Sequence, residues 1–239
     1  MSKELQGKVA IVTGGNRGIG LAIAEALAEH GGAVVLTSRT AASAETAAAK
    51  IARHGARIIP FQCDVRDEVG VERLFALVGD EFRHLDFLIN NAGIYGPAVS
   101  VDQVPVEAWR ETLDINLTGT FLCTKHAVPL MKRGAVIVNN LSIAAYQVFP
   151  NSAAYIASKQ GMLGLTNATR EDLRSRGIRV VALVPGATDT EIWKQFWPEA
   201  PREKMMKAKD VASAVLNALL MPEGTSVDEI RIMPASGAL

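Results

Sequence analysis

The stretch Lys8-Val9-Ala10-Ile11-Val12-Thr13-Gly14-Gly15-Asn16-Arg17-Gly18-Ile19-Gly20 decides how this chain is read. Its first six residues form a short, mostly apolar run, suited to a strand buried in a parallel sheet. Glycines follow at 14, 18 and 20, directly after Thr13. From Ile19 to Glu29 the pattern is an alanine-rich amphipathic helix, stopped by Gly31-Gly32. The segment therefore predicts strand, glycine turn and helix in immediate succession.

That succession is the context a dinucleotide-binding turn requires. Glycine lets the backbone turn sharply and approach a pyrophosphate closely. The helix start then offers unpaired N–H groups and the positive end of its dipole to the anion. The spacing here is G-x-x-x-G-x-G rather than G-x-G-x-x-G, so the glycines alone also fit a βα turn with no ligand.

Outward from this turn, strands are expected at 33–38, 57–62, 86–90, 135–141, 178–184 and about 227–232, after the first at 8–13. Helices are expected at 18–30, 41–54, 67–82, about 105–132, about 152–175 and about 208–221, with an irregular lid over about 190–208. Regular βα alternation predicts an α/β fold: one doubly wound Rossmann-type domain over 1–239, with a parallel seven-stranded sheet and helices on both faces. Gly14, Asn90, Ser142 and Pro185 each fall just after a strand. They should converge on the carboxyl edge of the sheet, where such folds bind ligands.

A second constellation carries chemistry. Tyr155 and Lys159 stand four residues apart on a predicted helix and so share a face. A free phenol titrates near pH ~10. A neighbouring ammonium favours the phenolate, which predicts a lowered Tyr155 pKa. Ser142 can hold a carbonyl oxygen while the tyrosine gives or takes its proton. This equipment interconverts a ketone and an alcohol. A lone Tyr-x-x-x-Lys would carry little weight; its weight comes from the glycine turn upstream.

Together these features resemble the short-chain dehydrogenase/reductase family over nearly the whole chain. Thr13-Gly14-x-x-x-Gly18-x-Gly20 matches the family's cofactor motif, and Asn90-Asn91-Ala92-Gly93 the motif after its fourth strand. Asn116, Ser142, Tyr155 and Lys159 match its catalytic tetrad, while Pro185-Gly186, Thr188 and Thr190 match the loop that holds the nicotinamide. The resemblance implies that Lys159 also bonds the nicotinamide ribose and that Asn116 holds a water leading to Lys159. The plain reading of Asn116 is a side chain tied to backbone in a mid-helix irregularity, which is compatible with the water role; the plain alternative for Ser142 is a hydroxyl capping the strand end. One departure stands out. The serine that usually precedes the catalytic one is replaced by Leu141.

The second strand ends in Ser38-Arg39-Thr40, with no carboxylate to bind a ribose 2′-hydroxyl. Arg39 can face a 2′-phosphate, Ser38 and Thr40 can donate hydroxyls, and Arg17 can clamp the other side. The expected cofactor is therefore NADP(H), with Gly14, Asn16, Arg17, Gly18, Ile19, Gly20, Asp64, Val65, Asn90, Ala92 and Gly93 completing its site. By resemblance Asp64 meets the adenine; its plain reading is a cap for the helix opening near Asp67.

The formal net charge of +0 argues against a nucleic-acid or membrane partner held by bulk charge. Cys63 and Cys123, the only cysteines, read as buried thiols in a reducing compartment, with no metal cluster. No signal peptide and no apolar run of membrane-spanning length are read, so a soluble cytoplasmic protein is expected.

The substrate is expected to be a small-molecule ketone or secondary alcohol. Trp193, Phe196 and Trp197, spaced for one face of a short helix, should wall its pocket with Tyr95, Tyr146 and Phe149. Arg133 and Arg176, near the ends of the long helices, would suit an acyl-carrier docking site by family resemblance. Extra apolar residues at Leu113, Leu117, Phe121, Met162, Leu163 and Leu165 predict a homodimer or homotetramer. The alternatives are a 3-oxoacyl-thioester reductase, an NAD-dependent alcohol dehydrogenase and, remotely, a non-catalytic NADP sensor.

Overall fold

In the first strand, β1 (Val9–Val12), Val9 and Ile11 enter one apolar cluster while Ala10 and Val12 enter another. Successive strand residues point to opposite faces. A strand apolar on both faces must be covered on both, which is what dictates helices above and below the sheet. The computed structural model describes residues 3–52 and 55–237, without the side chains of Gln195 and Phe196.

The strands β1, β2 (Ala33–Ser38), β3 (Ile58–Gln62), β4 (Leu85–Asn90), β5 (Met131–Asn140), β6 (Arg179–Pro185) and β7 (Glu229–Ile232) form one parallel sheet in the order β3-β2-β1-β4-β5-β6-β7. Helices α1 (Gly18–Glu29), α2 (Ala41–Ile51) and α7 (Ala208–Leu219) bury one face through residues such as Ile23, Leu27, Ile51 and Val215. Helices α3 (Glu68–Phe82), α5 (Gly119–Ala127) and α6 (Ala153–Arg174) cover the other, with Leu74, Leu122 and Leu173 among the contacts. Strand order reverses between β1 and β4, which opens a crevice at their carboxyl ends.

The single helix expected over 105–132 is instead α4 (Val106–Leu113), a π-helical turn over Asp114–Thr118, and α5. Asn116 explains the break. Its side chain accepts from Ile94 N and donates to Ile94 O and Ser158 Oγ, each at 2.9 Å, and Thr120 Oγ1 donates to its carbonyl at 2.8 Å. Gly119 follows because a Cβ there would lie 2.6 Å from Val65 Cγ2. A short 3-10 turn, Val128–Leu130, contains Pro129 and ends the helix, and β5 starts four residues earlier than expected. Arg133 consequently lies in β5, not at a helix end. Part of the expected 41–54 helix, at 53–54, lies outside the described residues.

Candidate active site

The carboxyl ends of the strands open into a cleft of about 770 Å³. At its floor, Gly14 takes φ +60° and passes so close to β4 that a Cβ would sit 2.9 Å from Ala92 Cα. Gly18, at φ +55°, faces Thr190 across the cleft. Thr13 Oγ1 accepts from Asn91 N at 2.9 Å and Ala92 N at 3.0 Å, locking the glycine loop to the chain after β4. Asn91 Nδ2 returns two bonds of 3.0 Å to the carbonyls of Thr13 and Gly14.

Two expected cofactor residues lie behind the wall. A Cβ on Gly20 would fall 2.3 Å from Asn91 Nδ2, so this glycine seats the helix against Asn91 rather than facing the cleft. Asn90 is 3% exposed and donates to Asn139 Oδ1 at 2.9 Å and Thr124 Oγ1 at 3.1 Å, bracing β4 against β5. The other expected cofactor positions all line the cleft.

At the far end Ser38, Arg39 and Thr40 follow β2, and Arg17 reaches out from the glycine loop. Both guanidinium groups are exposed and bond to no other described side chain. Thr40 Oγ1 caps α2, accepting from Ser43 N. Asp64 lines the cleft and is gripped by Arg66 at 2.6 Å, whose hydrogen bonds hold its carboxyl below the usual range. The cap of α3 is Asp67, so the capping alternative for Asp64 fails. Thr37 Oγ1 and Asn140 Oδ1 are buried along this lining without a partner among the described residues. Backbone held open by glycine, two free cations and unsatisfied polar atoms together fit a dinucleotide bearing a further phosphate.

Ser142, Tyr155 and Lys159 come together in the middle of the cleft. Ser142 Oγ accepts from Ala144 N at 3.1 Å, capping a 3-10 turn, so its strand-end role is real and leaves the hydroxyl in the cleft. Tyr155, at the start of α6, stacks against Tyr95 with ring centroids 4.7 Å apart. The Tyr95 hydroxyl is held by Ser152 Oγ at 2.5 Å. Lys159 is 4% exposed and donates to the carbonyl of Asn140 at 2.8 Å.

The electrostatics reverse the expectation of a lowered tyrosine. Burial pushes the Tyr155 phenol up to about 12, against a lowering by its bond with Ser142 and with a further rise from Tyr95. Burial also brings Lys159 down to about 7. The reason is enclosure: the ammonium is itself desolvated and turned towards a carbonyl, so it relieves the phenol little. Asn116, fully buried in its π turn, does not line the cleft. Its side chain serves the backbone of Ile94, as its plain reading had it.

At the substrate end Tyr95, Phe149, Trp193 and Trp197 line the wall as expected. Tyr146 does not: its hydroxyl bonds Glu229 and its ring lies under Arg231 at 4.4 Å, outside the cleft. The Phe196 side chain lies outside the described residues. The lid is anchored by Asp189, which binds Arg202 at 2.6 Å and Lys207 at 3.1 Å, and by Trp193 Nε1 donating to Thr188 O at 2.8 Å.

Sequence reasoning missed Asn140, which donates to Asn91 Oδ1 at 2.9 Å while its carbonyl holds Lys159. Two asparagines ending an apolar strand run, Asn139-Asn140, were the available signal, since buried amides need partners. Leu141, where the family pattern has serine, is 2% exposed and packs with Met162 and Val184.

The family model for short chain dehydrogenases matches residues 8–201. A 3β-hydroxysteroid dehydrogenase of Mediterraneibacter gnavus is 36% identical over 186 residues, covering 77% of this chain and 67% of that protein. Among solved structures, a short chain dehydrogenase from Burkholderia cenocepacia J2315 in complex with NADP superposes with a TM-score of 0.88 at 34% identity, covering 97% of this chain and 98% of that one. An alcohol dehydrogenase from the archaeon Thermococcus sibiricus, complexed with 5-hydroxy-NADP, gives 0.88 at 28% identity, covering 95% and 97%.

Proposed function

The chain belongs to the short chain dehydrogenase family, an oxidoreductase of CH–OH groups, and we propose that it is an NADPH-dependent ketone reductase. The observation that carries this reading is the meeting of Ser142, Tyr155 and Lys159 in one cleft whose far end presents the unpaired Arg17 and Arg39. The NADP-bound structural relatives support the same cofactor.

Gly14, Gly18, Ala92 and Gly93 would accept the dinucleotide backbone, Arg17 and Arg39 its 2′-phosphate, and Pro185-Gly186, Thr188 and Thr190 the carboxamide. A nicotinamide held there would supply the hydride that the carbonyl carbon accepts. Ser142 Oγ orients and polarises the substrate oxygen. As the C=O electron pair moves onto that oxygen, Tyr155 Oη donates its proton there, giving the alcohol. A phenol raised to about 12 keeps its proton at neutral pH, so the group stands protonated for reduction. Lys159 holds the tyrosine's surroundings through Asn140 and can pass on the replacement proton.

Arg133 and Arg176 give no support to an acyl-carrier substrate. Arg176 follows the end of α6, while Tyr155 stands at its start. At about 1.5 Å per residue the two are roughly 30 Å apart, at opposite edges of the sheet. Half-buried Leu113 and Leu165 with exposed Phe121 support a homo-oligomer formed through α4, α5 and α6, whereas Met162 belongs to the core and Leu117 and Leu163 pack against it. Light scattering at micromolar concentration tests this; a monomer overturns it. No described helix is long and apolar enough to cross a membrane.

The deciding experiment follows NADPH and NADH oxidation with ketones, 3-oxoacyl thioesters and, in reverse, alcohols. Faster reduction of ketones with NADPH supports the proposal; a preference for NADH, or for thioesters, overturns it.

A further inference from the structure

The charges lining the cleft are unevenly placed. Arg17 and Arg39 stand at the end beyond the glycine loop, and Lys159 is committed to the carbonyl of Asn140. From Ser142 outward to the lid, the described lining carries no cationic side chain. Its apolar surface comes from Tyr95, Ile143, Phe149, Ile192, Trp193 and Trp197, with Asn151 as a neutral polar neighbour. The rings stand in two tilted pairs: Tyr95 and Tyr155 with centroids 4.7 Å apart at 30°, and Trp193 and Trp197 6.1 Å apart at 55°. Trp197 and Phe149 keep 41% and 37% of their surface exposed at the mouth, so an apolar face is left for a ligand to cover.

The one charged side chain of the lid on this lining is Glu191. Lys194 binds it at 2.6 Å, and this bond, helped by the charges of Arg202 and Arg17, holds its carboxyl below the usual range, so it is anionic at neutral pH. Lys194 itself is absent from the lining and is occupied by Glu191. A carboxylate or phosphate held among these walls would thus lose its water beside apolar groups, find no cation in the walls themselves, and meet a like charge at Glu191, whose cationic neighbours Lys194, Arg202 and Arg17 already face that carboxylate.

Resting on the reductase reading, we infer that the substrate is an uncharged, ring-bearing ketone, alicyclic or aryl, and that Glu191 turns anionic substrates away. Aromatic walls on two sides favour a flat or puckered ring over a flexible chain, whose ordering costs rotamer entropy. Binding then depends on apolar contact, with Ser142 and Tyr155 supplying the polar recognition of the single oxygen.

Matched ligands test the inference: acetophenone against 4-acetylbenzoate, and cyclohexanone against 4-oxocyclohexanecarboxylate, with NADPH. The neutral member of each pair is expected to have at least about tenfold higher kcat/KM, a difference of roughly 1.4 kcal/mol. Glu191→Lys should narrow that ratio by raising the anionic member's kcat/KM. Equal or better use of the anionic members by the wild-type enzyme overturns the inference and leaves ketone reduction standing. Absence of turnover with every ligand counts against the reductase reading. Binding then decides the inference separately, through quenching of Trp193 and Trp197 fluorescence at saturating NADP⁺. Selective quenching by the neutral ligands, lost in Trp193→Phe/Trp197→Phe, supports it. Quenching by both classes alike, or by neither, overturns it.

Discussion

Lys159 Nζ donates 2.8 Å to the carbonyl of Asn140 while standing 5.7 Å from the centroid of the Tyr155 ring. The lysine is thus anchored to the end of the strand that leads into Ser142, and Asn140 is bonded in turn to Asn91, which holds the carbonyls of the glycine loop. The cofactor turn and the lysine beside the proton donor thus share one chain of hydrogen bonds.

Removing the proton while keeping the ring is the most direct check on Tyr155. Tyr155→Phe should lower kcat for ketone reduction by on the order of 10²–10⁴, the usual weight of a positioned general acid. Circular dichroism and the unfolding midpoint should change little, because the Tyr95 stack survives. Retention of most of the activity would remove Tyr155 from the mechanism.

The proton's place sets the pH behaviour. With the phenol held up to about 12, reduction should keep its kcat within about twofold from pH 7 to 9, while alcohol oxidation, which needs the phenolate, should climb with pH. Initial rates in both directions at saturating cofactor measure this. A reduction rate collapsing across that range would show a donor of much lower pKa.

Burial of Lys159 links stability to pH with a definite sign. Its folded pKa of about 7 lies below the unfolded value near ~10.4, so between them the unfolded chain binds more protons and stability rises with pH. Above about pH 8.5 the Cys63 thiol, raised by burial to about 11, opposes the trend, because its unfolded form ionises first. Between about pH 7 and 8.5 the cofactor-free protein should gain on the order of 1–2 kcal/mol in urea unfolding, a slope that Lys159→Met abolishes.

Arg39 is expected to bind charge and to do little for folding, since it is exposed and its side chain forms no hydrogen bond or ion pair with a described residue. Arg39→Ala should raise the KM for NADPH about tenfold or more, the loss of roughly 1.5–3 kcal/mol from a charged hydrogen bond, and leave NADH nearly unchanged. Equal effects on both coenzymes would move the 2′-phosphate elsewhere.

Leu141→Ser would restore the residue usual in the family at a cost. The leucine is 2% exposed against Met162, Ala182 and Val184, so its loss should destabilise by about 2–5 kcal/mol in denaturant unfolding. An unchanged midpoint would mean the pocket collapses without penalty.

The sequence alone determined the layered sheet, the glycine turn and the Ser142-Tyr155-Lys159 set, because these follow from local pattern: apolar runs for buried strands, glycine where backbone must approach, and four-residue spacing on a helix. Tertiary structure alone decided that Gly20, Asn90 and Asn116 serve the wall behind the cleft, that Tyr146 is drawn off by Glu229 and Arg231, and that Tyr155 is raised rather than lowered. Each of these turns on which distant groups exclude water or compete for a bond. Burial and partner choice are properties of the packed chain, and no local spacing encodes them.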